Sequence, residues 1–322
     1  MDDDAVRAEC DAVMDEVTGA VVVDRDVVET VLAGFLAGGN VLLEDVPGTG
    51  KTLLARSLAT ALGLSFSRVQ FTPDLLPADV TGSTVFDERS GDLEFRPGAL
   101  FANVVLADEI NRAPPKTQSA LLEAMAEGQV TVDGDTHTLP DPFFVVATQN
   151  PIEQDGTFEL PEAQNDRFVV KTSLGYPDED GELTIVDRRA ARDARTPTVE
   201  TVCSPARVDD LRAAPEGVRV EDDVRRYLVR VARATREDDR VDTGVSPRGT
   251  QRLFETARAS ALLNGRDYVT PDDVRGVAEP VLAHRLVLTP DARIDGVDAR
   301  AVVRDVLDAV PVPTVSETAR TP

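Results

Sequence analysis

The residues at positions 45–52 are Asp45-Val46-Pro47-Gly48-Thr49-Gly50-Lys51-Thr52. A short apolar segment, 41–43, precedes them, and helical spacing of apolar residues follows from 51 to 62. In a loop between a strand and a helix, successive backbone N–H groups and the helix N-terminus can enclose phosphate oxygens. Gly48 and Gly50 allow the backbone conformations and the close approach that a Cβ would block. The segment therefore predicts a phosphate-binding loop.

Each residue of this loop has a predicted role. Lys51 would contact the outer phosphates of ATP, and Thr52 would bind Mg²⁺. The predicted nucleotide-contacting residues of the loop are Val46, Pro47, Gly48, Thr49, Gly50, Lys51 and Thr52. The usual pattern begins with Gly six residues before the lysine, and this chain has Asp45 there. The loop alone is therefore a less specific signal than the full pattern.

A second motif follows the apolar segment 104–107, which ends in Asp108 and Glu109. Ligands bind at the carboxyl ends of strands in open α/β sheets, so both carboxylates are expected at such a site. Asp108 would hold Mg²⁺ through its water shell, and Glu109 would act as the general base toward water. A solvated helix cap would also explain two acidic residues here. The phosphate loop upstream favours the metal and base roles.

Three further residues are candidates for catalysis. Asn150 follows the predicted strand 143–148 and could orient the attacking water. Arg167 precedes the predicted strand 168–171, and Arg248 opens a helix in the C-terminal part. An arginine at either place could neutralise charge on the transferring phosphoryl group, an effect worth roughly 10³- to 10⁵-fold in rate. Each arginine alone is better explained by a surface ion pair, because the chain has many arginines, and only their order and context favour catalysis.

Strand and helix patterns alternate through the first half of the chain. Consecutive apolar residues mark strands that are covered on both faces, as in a parallel sheet. The predicted strands are 41–43, 66–71, 103–107, 143–148 and 168–171. Two segments, 81–95 and 129–139, are predicted β-hairpins, the second with the turn Asp133-Gly134. The pattern predicts a doubly wound α/β domain with a mostly parallel five-stranded sheet and hairpin insertions.

The character of the sequence changes after residue 175. We predict an α/β core over 1–175, a small all-α domain over 176–310 and a disordered tail over 311–322. The helical part includes a helix that starts at Pro271 with Thr270 as its cap.

The charge of the chain is strongly negative. Its 322 residues include 58 Asp and Glu against 34 Lys and Arg, which gives a net charge of -24. Such a surface could bind cationic partners, or it could be a halophilic adaptation to a salty cytoplasm in which self-repulsion is screened. Because the acidic residues are spread along the chain, we favour the second interpretation. Nonspecific electrostatic binding to nucleic acid is disfavoured, since such binding needs basic patches on the protein surface.

Several features predict a cytoplasmic protein without a membrane span. The start, Met-Asp-Asp-Asp, is the opposite of a signal peptide, and the longest apolar stretch, 31–43, is too short to cross a bilayer. Cys10 and Cys203 lack metal-ligand spacing and fit ordinary small residues in a reducing compartment. His137 and His284 are the only histidines, and neither is expected to carry chemistry.

Beyond these motifs, the chain resembles the MoxR family of AAA+ ATPases, most densely over about residues 30–175. The first run that carries the resemblance is Val69-Gln70-Phe71-Thr72-Pro73-Asp74-Leu75-Leu76-Pro77. The second is Leu106-Ala107-Asp108-Glu109-Ile110-Asn111-Arg112-Ala113-Pro114-Pro115-Lys116-Thr117-Gln118. Shorter runs follow at 147–153 and 160–164, and looser ones at 246–248 and 268–274.

The resemblance implies a role for each candidate residue. Lys51 and Thr52 correspond to Walker A, and Asp108 and Glu109 to Walker B. Asn150 corresponds to sensor 1, Arg167 to an arginine finger that acts on the neighbouring subunit's ATP, and Arg248 to sensor 2. The hairpins correspond to the helix-2 and pre-sensor-1 insertions of this clade. Where the family often has Gly in a nucleotide-contacting segment, the chain has Val21-Val22-Val23-Asp24, so the adenine contacts stay unassigned.

The resemblance also implies a function and partners. We expect a ring homo-oligomer, a hexamer, that hydrolyses ATP with Mg²⁺ between subunits and remodels or matures client proteins. The family further implies a partner with a von Willebrand factor A domain, which must be a separate chain because its Asp-x-Ser-x-Ser motif does not occur here. Two alternatives stay open: a DNA-translocating motor of the same clade, and a nucleotide switch that does not hydrolyse ATP.

Overall fold

The computed structural model describes residues 3–89, 91–151 and 160–313. The chain forms two compact units, Ala8–Arg212 and Met1–Arg7 with Ala213–Pro322. Several predicted features lie outside the described residues, namely Ser90 in the first hairpin turn, Ile152, Glu153 and the tail from position 314.

The first unit contains nine strands and the helices that surround them in the described residues. The strands are β1 (Asn40–Glu44), β2 (Phe66–Gln70), β3 (Gly82–Asp87), β4 (Asp92–Pro97), β5 (Val104–Asp108), β6 (Gln129–Val132), β7 (Asp135–Thr138), β8 (Phe144–Gln149) and β9 (Phe168–Thr172). The helices are α1 (Asp3–Ala20), α2 (Arg25–Leu36), α3 (Lys51–Ala61), α4 (Pro77–Thr81), α5 (Pro115–Glu127), α6 (Glu162–Asn165), α7 (Glu179–Ala190) and α8 (Pro205–Ala213). The residues of α1 up to Arg7, and the last residue of α8, belong to the second unit.

Five of these strands form the central sheet, in the order β2-β5-β8-β1-β9. Every adjacent pair is parallel. All of β5 and nearly all of β8 are buried, as expected for strands that helices cover on both faces. Because the strands run in one direction, their carboxyl ends meet at one edge of the sheet. The predicted α/β fold with a five-stranded parallel sheet is confirmed.

Close packing places helix α2 and strand β1 against strand β9. A Cβ on Gly34 of α2 would come within 2.9 Å of the Val41 side chain and 3.2 Å of the Val170 side chain. At Gly39, just before β1, a Cβ would lie only 1.8 Å from Cγ2 of Val169. These contacts leave no room for a methyl group, so glycine lets the chain enter β1 at this position.

Both predicted hairpins are present. Strands β3 and β4 pair in register from Gly82 with Pro97 to Asp87 with Asp92, and β6 pairs with β7. The turn between β6 and β7 is Asp133-Gly134, with positive φ at both residues. The ring of His137 on β7 stacks on Phe95 of β4 with centroids 3.7 Å apart. His137 therefore has a packing role between the two hairpins.

The first unit extends beyond the boundary predicted at residue 175. Backbone N–H groups of Val202 and Cys203 both donate to the carbonyl of Ala61, at the end of α3. The guanidinium of Arg188 on α7 donates to the carbonyls of Thr18 and Gly19. These bonds hold 176–212 on the α/β unit, although the sequence of this segment resembles that of the helical part.

The second unit is mainly helical. Its elements are α9 (Asp222–Ala234), β10 (Val241–Thr243), α10 (Pro247–Leu263), α11 (Pro271–Leu282), β11 (Val287–Leu288), α12 (Pro290–Ile294) and α13 (Ala299–Ala309). The predicted cap is present, because Thr270 and Asp273 exchange side-chain bonds with each other's backbone N–H. The predicted helical domain is confirmed, and strands β10 and β11 add a short antiparallel ladder that the sequence did not predict. These strands are too short to show a period-2 pattern in the sequence.

None of the helices in the described residues has the length and apolarity needed to cross a bilayer.

Candidate functional site

The loop between β1 and α3 has the geometry of an anion-binding turn. Gly48 and Gly50 have φ values of 91° and 98°, a region that residues with a Cβ rarely adopt. Gly50 directly precedes α3 as its N-cap residue, and it has no side chain that could bond to the first N–H groups of that helix. These N–H groups and the positive end of the helix dipole are therefore available to a phosphate group.

Asp45, the departure from the usual loop pattern, has a structural role. Its side chain is buried, and Oδ2 accepts a hydrogen bond from Leu174 N at 2.6 Å. Oδ1 accepts from Ser173 Oγ at 3.0 Å and from Gly175 N at 3.1 Å. The carboxylate thus ties the start of the loop to the turn after β9, a function that glycine could not perform.

Lys51 lies over its own loop. Its Nζ donates to the carbonyl oxygens of Asp45 at 2.9 Å and of Val46 at 2.7 Å. Burial lowers the pKa of the ammonium group, while the negative charges of Asp45, Asp108 and Glu109 act in the opposite direction. The ammonium group is therefore held at the loop by neutral carbonyls and by three nearby carboxylates.

Asp108, at the end of β5, is buried and has partners on both oxygens. Oδ1 accepts from Thr148 Oγ1 at 2.6 Å, and Thr148 lies on the neighbouring strand β8. Oδ2 accepts from Arg68 on β2, through Nη2 at 2.7 Å and Nε at 3.2 Å. Both partners come from the strands that flank β5, so the sheet itself orients this carboxylate.

Glu109 is held in an unusual backbone conformation. Its φ of 56° and ψ of 50° place it in the left-handed region, which is unfavourable for a residue with a long side chain. Its N–H donates to Thr148 Oγ1 at 2.9 Å. Its Oε2 accepts from Gln70 Nε2 at 2.8 Å and from Arg112 Nη1 at 3.0 Å. The strained backbone and the two donors fix where this carboxylate lies.

These residues surround one cleft of about 390 Å³ at the carboxyl edge of the sheet. Its lining consists of Asp45, Pro47, Gly48, Gly50, Lys51, Thr52, Leu53, Arg68, Gln70, Asp108, Glu109, Thr148, Gln149 and Asn150. Val46 and Thr49 belong to the loop without lining the cleft, and the carbonyl of Val46 accepts from Lys51 and, at 3.4 Å, from Thr49 Oγ1. The structure therefore brings the predicted Walker A residues, both carboxylates and Asn150 together.

The cleft fits the cofactors that the sequence implies. Mg²⁺ prefers oxygen ligands, and Thr52 and Asp108, whose side chains carry a hydroxyl and a carboxylate, both line the cleft. The volume of about 390 Å³ lies within the range of small-molecule sites. Thr52 and Asp108 are the residues that would hold Mg²⁺, and the glycines with positive φ leave room for the phosphates.

Neither candidate arginine is among the described residues that line the cleft. Arg167 Nη1 donates to the carbonyl of Leu122 on α5, and the described part of the cleft lining does not include Arg167. Arg248 is exposed in the first turn of α10, in the second compact unit. The roles predicted for Arg167 and Arg248 stay predictions.

Sequence reasoning missed the residues that orient the two carboxylates. Arg68 and Gln70 alternate along β2, and their register places Gln70 opposite Asp108. Two long polar side chains at alternate positions near the end of a strand are a signal that could have identified them. Thr148 and Arg112 offer weaker signals, because one Thr in an apolar strand and one Arg in a loop do not form a pattern.

The segment 21–24 lies beside the loop. A Cβ on Gly50 would come within 3.3 Å of Cγ1 of Val21, and one on Gly181 within 3.4 Å of Cγ1 of Val22. Segment 21–24 therefore lies next to the start of α3 and to the first turn of α7. Its part in adenine binding stays unassigned.

Sequence profiles of known families match both parts of the chain. The profile of the ATPase family associated with various cellular activities (AAA) matches residues 40–170. The profile of the AAA lid domain matches residues 233–306.

Individual proteins are similar over most of the chain. The uncharacterised protein YeaC of Bacillus subtilis is 50% identical over 90% of this chain and 90% of its own length. Chaperone MoxR1 of Mycobacterium tuberculosis is 42% identical over 94% of this chain and 81% of its own length. The crystal structure of a candidate ATPase from Cytophaga hutchinsonii superposes with a TM-score of 0.89 at 38% identity, covering 97% of each chain.

Proposed function

The chain belongs to the MoxR family of AAA+ ATPases, and from this we propose that it binds ATP with Mg²⁺ in the cleft and hydrolyses it. The observation that carries the proposal is the convergence on one cleft of Lys51, Thr52, Asp108, Glu109 and Asn150. The cleft lies at the carboxyl edge of a parallel sheet, next to the N-terminus of α3, where α/β folds bind phosphates.

In the proposed binding step, the loop after β1 supplies N–H groups to the phosphates. Lys51 exchanges its contacts with the carbonyls of Asp45 and Val46 for contacts with the outer phosphates. This exchange is favourable, because a partly buried ammonium group gains a charged partner in place of neutral ones. Bound Mg²⁺ would neutralise phosphate charge as a Lewis acid, with Thr52 and Asp108 as its protein partners.

In the proposed hydrolytic step, a water oxygen attacks the terminal phosphorus and the bond to the bridging oxygen of ADP breaks. The carboxylate of Glu109 takes the proton from the water, which leaves ADP and inorganic phosphate. Asn150 orients this water through its amide. The backbone of Glu109, bonded to Thr148, and the donors Gln70 and Arg112 position the general base before the water arrives.

We propose further that the active assembly is a ring, a hexamer, with ATP between subunits. The support is the position of Arg167, which is held at α5 and does not belong to the described lining of its own cleft. An arginine finger that points to the adjacent subunit would complete the ATP site of that subunit. Arg248 would add positive charge from the helical unit.

The proposed cellular role is chaperone-like remodelling or maturation of client proteins in the cytoplasm, in an organism of saline habitat. The name of the relative MoxR1 supports the chaperone-like role, and the net charge of -24 supports the habitat. A separate protein with a von Willebrand factor A domain is the proposed partner.

A hydrolysis assay with the variant Glu109→Gln tests the proposed reaction. The amide keeps the size of the side chain but cannot accept the proton, so ATP binding should persist while phosphate release falls at least about 10²-fold. Lys51→Ala is the matched control and should lose binding as well. Unchanged phosphate release in Glu109→Gln would contradict the assignment of the base. Absence of phosphate release in the unaltered protein would favour the non-hydrolysing switch.

Mixed assemblies test the proposed finger. Arg167→Ala and Lys51→Ala should each be inactive alone, since one lacks the finger and the other lacks ATP binding. Mixing them should partly restore phosphate release, because some interfaces then join an intact finger with an intact loop. Size-exclusion chromatography with light scattering, with ATP present, gives the number of subunits. A mixture no more active than its parts would contradict action between subunits.

A further inference from the structure

The carboxylate predicted to hold Mg²⁺ already has a cationic partner. Arg68 contacts Oδ2 of Asp108 through Nη2 at 2.7 Å and Nε at 3.2 Å, while Thr148 donates to Oδ1. Thr148 is neutral, so the guanidinium of Arg68 is the group that balances the charge of Asp108 in these contacts. A buried carboxylate without such a partner would be strongly unfavourable.

The two partners differ in how easily they can move. The side chain of Arg68 is 46% exposed, whereas that of Asp108 is 12% exposed. Arg68 can therefore turn toward solvent at modest cost, whereas the buried carboxylate of Asp108 cannot move out and needs a cation beside it. The amide oxygen of Gln70 accepts from Nη2 of Arg68 at 3.1 Å and so orients the guanidinium toward Asp108.

We propose that Arg68 is a placeholder cation, which occupies the metal-binding carboxylate of Asp108 until Mg²⁺ with nucleotide displaces it. This inference rests on the proposed function of the cleft. Arg68 is a positioning residue in it, because it acts on the metal through Asp108. A guanidinium and a divalent cation repel each other, so both cannot occupy the same carboxylate oxygen closely.

Such competition has a measurable consequence. The apparent affinity for metal is proportional to the fraction of molecules in which Asp108 is free of Arg68, so it falls as more molecules hold the ion pair. An ion pair at a partly exposed site is typically worth up to about 1 kcal/mol, which corresponds to about fivefold in the apparent dissociation constant. Removing the guanidinium should therefore tighten metal binding by about fivefold, whereas removing an ordinary supporting contact should weaken it.

Metal binding itself tests the proposal, without any measurement of turnover. Mn²⁺, which stands in for Mg²⁺, is titrated into the full-length protein saturated with ADP, and free Mn²⁺ is followed by electron paramagnetic resonance. Arg68→Gln should bind Mn²⁺ about fivefold more tightly than the unaltered protein. Arg56→Gln is the matched control, since it removes the same charge from the exposed face of α3, where Arg56 lies 5.5 Å from the Phe66 ring centroid.

Two accompanying measurements separate competition from a structural effect. The affinity for ADP in EDTA should not differ between Arg68→Gln and the unaltered protein by more than about twofold, because Arg68 is proposed to act only on the metal. Mn²⁺ should raise the melting temperature of Arg68→Gln by more than that of the unaltered protein. In that variant the metal replaces the cation that contacts Asp108 directly.

The outcomes distinguish this inference from the proposed function. If the unaltered protein with ADP binds no Mn²⁺, the proposed function itself fails. If it binds Mn²⁺ and Arg68→Gln binds equally or more weakly, only the placeholder role is overturned. If Arg68→Gln does not fold, Arg68→Lys replaces it, since the ammonium group keeps the charge but cannot make both contacts. About twofold tighter binding is then expected, and equal or weaker binding overturns the proposal.

Discussion

Replacing Asp45 by Asn would remove one charge from the start of the phosphate loop while keeping the size of the side chain. In the structure, Oδ1 accepts from Ser173 and Gly175, and Oδ2 accepts from Leu174. If the amide oxygen of the variant takes the place of Oδ1, its NH₂ group takes the place of Oδ2 and faces the N–H of Leu174. Two donors then oppose each other in a buried place, and that N–H loses its acceptor.

The magnitude follows from these contacts. Loss of one charge-assisted hydrogen bond and one unsatisfied N–H should destabilise Asp45→Asn by about 2 kcal/mol, within a range of roughly 1.5–3 kcal/mol. Asp45→Ala removes all three acceptor contacts and should be destabilised by about 3–5 kcal/mol. Because the charge of Asp45 opposes the effect of burial on Lys51, either variant should also lower the pKa of Lys51 further.

Urea unfolding followed by circular dichroism measures these differences. The matched control is Asp210→Asn, since the carboxylate of Asp210 is 51% exposed and pairs with Arg207 at the surface. The control should change the free energy of unfolding by less than about 1 kcal/mol. The reasoning is refuted if Asp45→Asn is as stable as the control variant, because the buried acceptors would then contribute nothing.

Three further predictions follow from other contacts. Thr148→Val removes the hydroxyl that bonds both Walker B residues, so the free energy of unfolding should fall by about 1–3 kcal/mol and phosphate release should slow; an unchanged urea midpoint would contradict this. Burial raises the pKa of Cys10 to about 12 and of Cys203 to about 11. The folded state therefore favours the protonated thiols. Their contribution to stability is complete below pH 9 and is lost as the pH rises from 9 toward the raised pKa values. Above pH 9, the melting temperature of the double alanine variant should therefore decline less steeply than that of the unaltered protein. Gly39→Ala should lower the free energy of unfolding in urea by at least about 2 kcal/mol, because its Cβ would overlap the side chain of Val169. A free energy equal to that of the unaltered protein would show that β9 can shift to make room.

The sequence predicted the fold and the chemical groups of the cleft well, because both depend on local patterns. Buried parallel strands are continuous apolar runs, and the carboxylates and amide follow those runs directly, as Asp108 and Asn150 do. The turn Asp133-Gly134 and the cap at Thr270 are equally local, and the structure shows both.

The partners of these groups could not be predicted in the same way. Arg68 meets Asp108 only because β2 pairs with β5, and Asp45 meets the turn after β9 only because β1 pairs with β9. Such contacts depend on strand order and register, which a single sequence does not state. The attachment of 176–212 to the α/β unit depends likewise on long-range backbone bonds, such as those to Ala61.

The strand order also sets when the nucleotide site can form. Strand β1 lies between β8 and β9, and Asp45 bonds to Leu174, 129 positions later in the chain. Pairing across such separations is slow and comes late in folding, because a long loop must close first. During synthesis, the phosphate loop would leave the ribosome before β8 and β9, the two strands that flank β1 in the sheet, and Asp45 would gain its partners only after β9 follows. If the cleft binds ATP as proposed, the ligand would stabilise chains that have completed the sheet more than nascent ones.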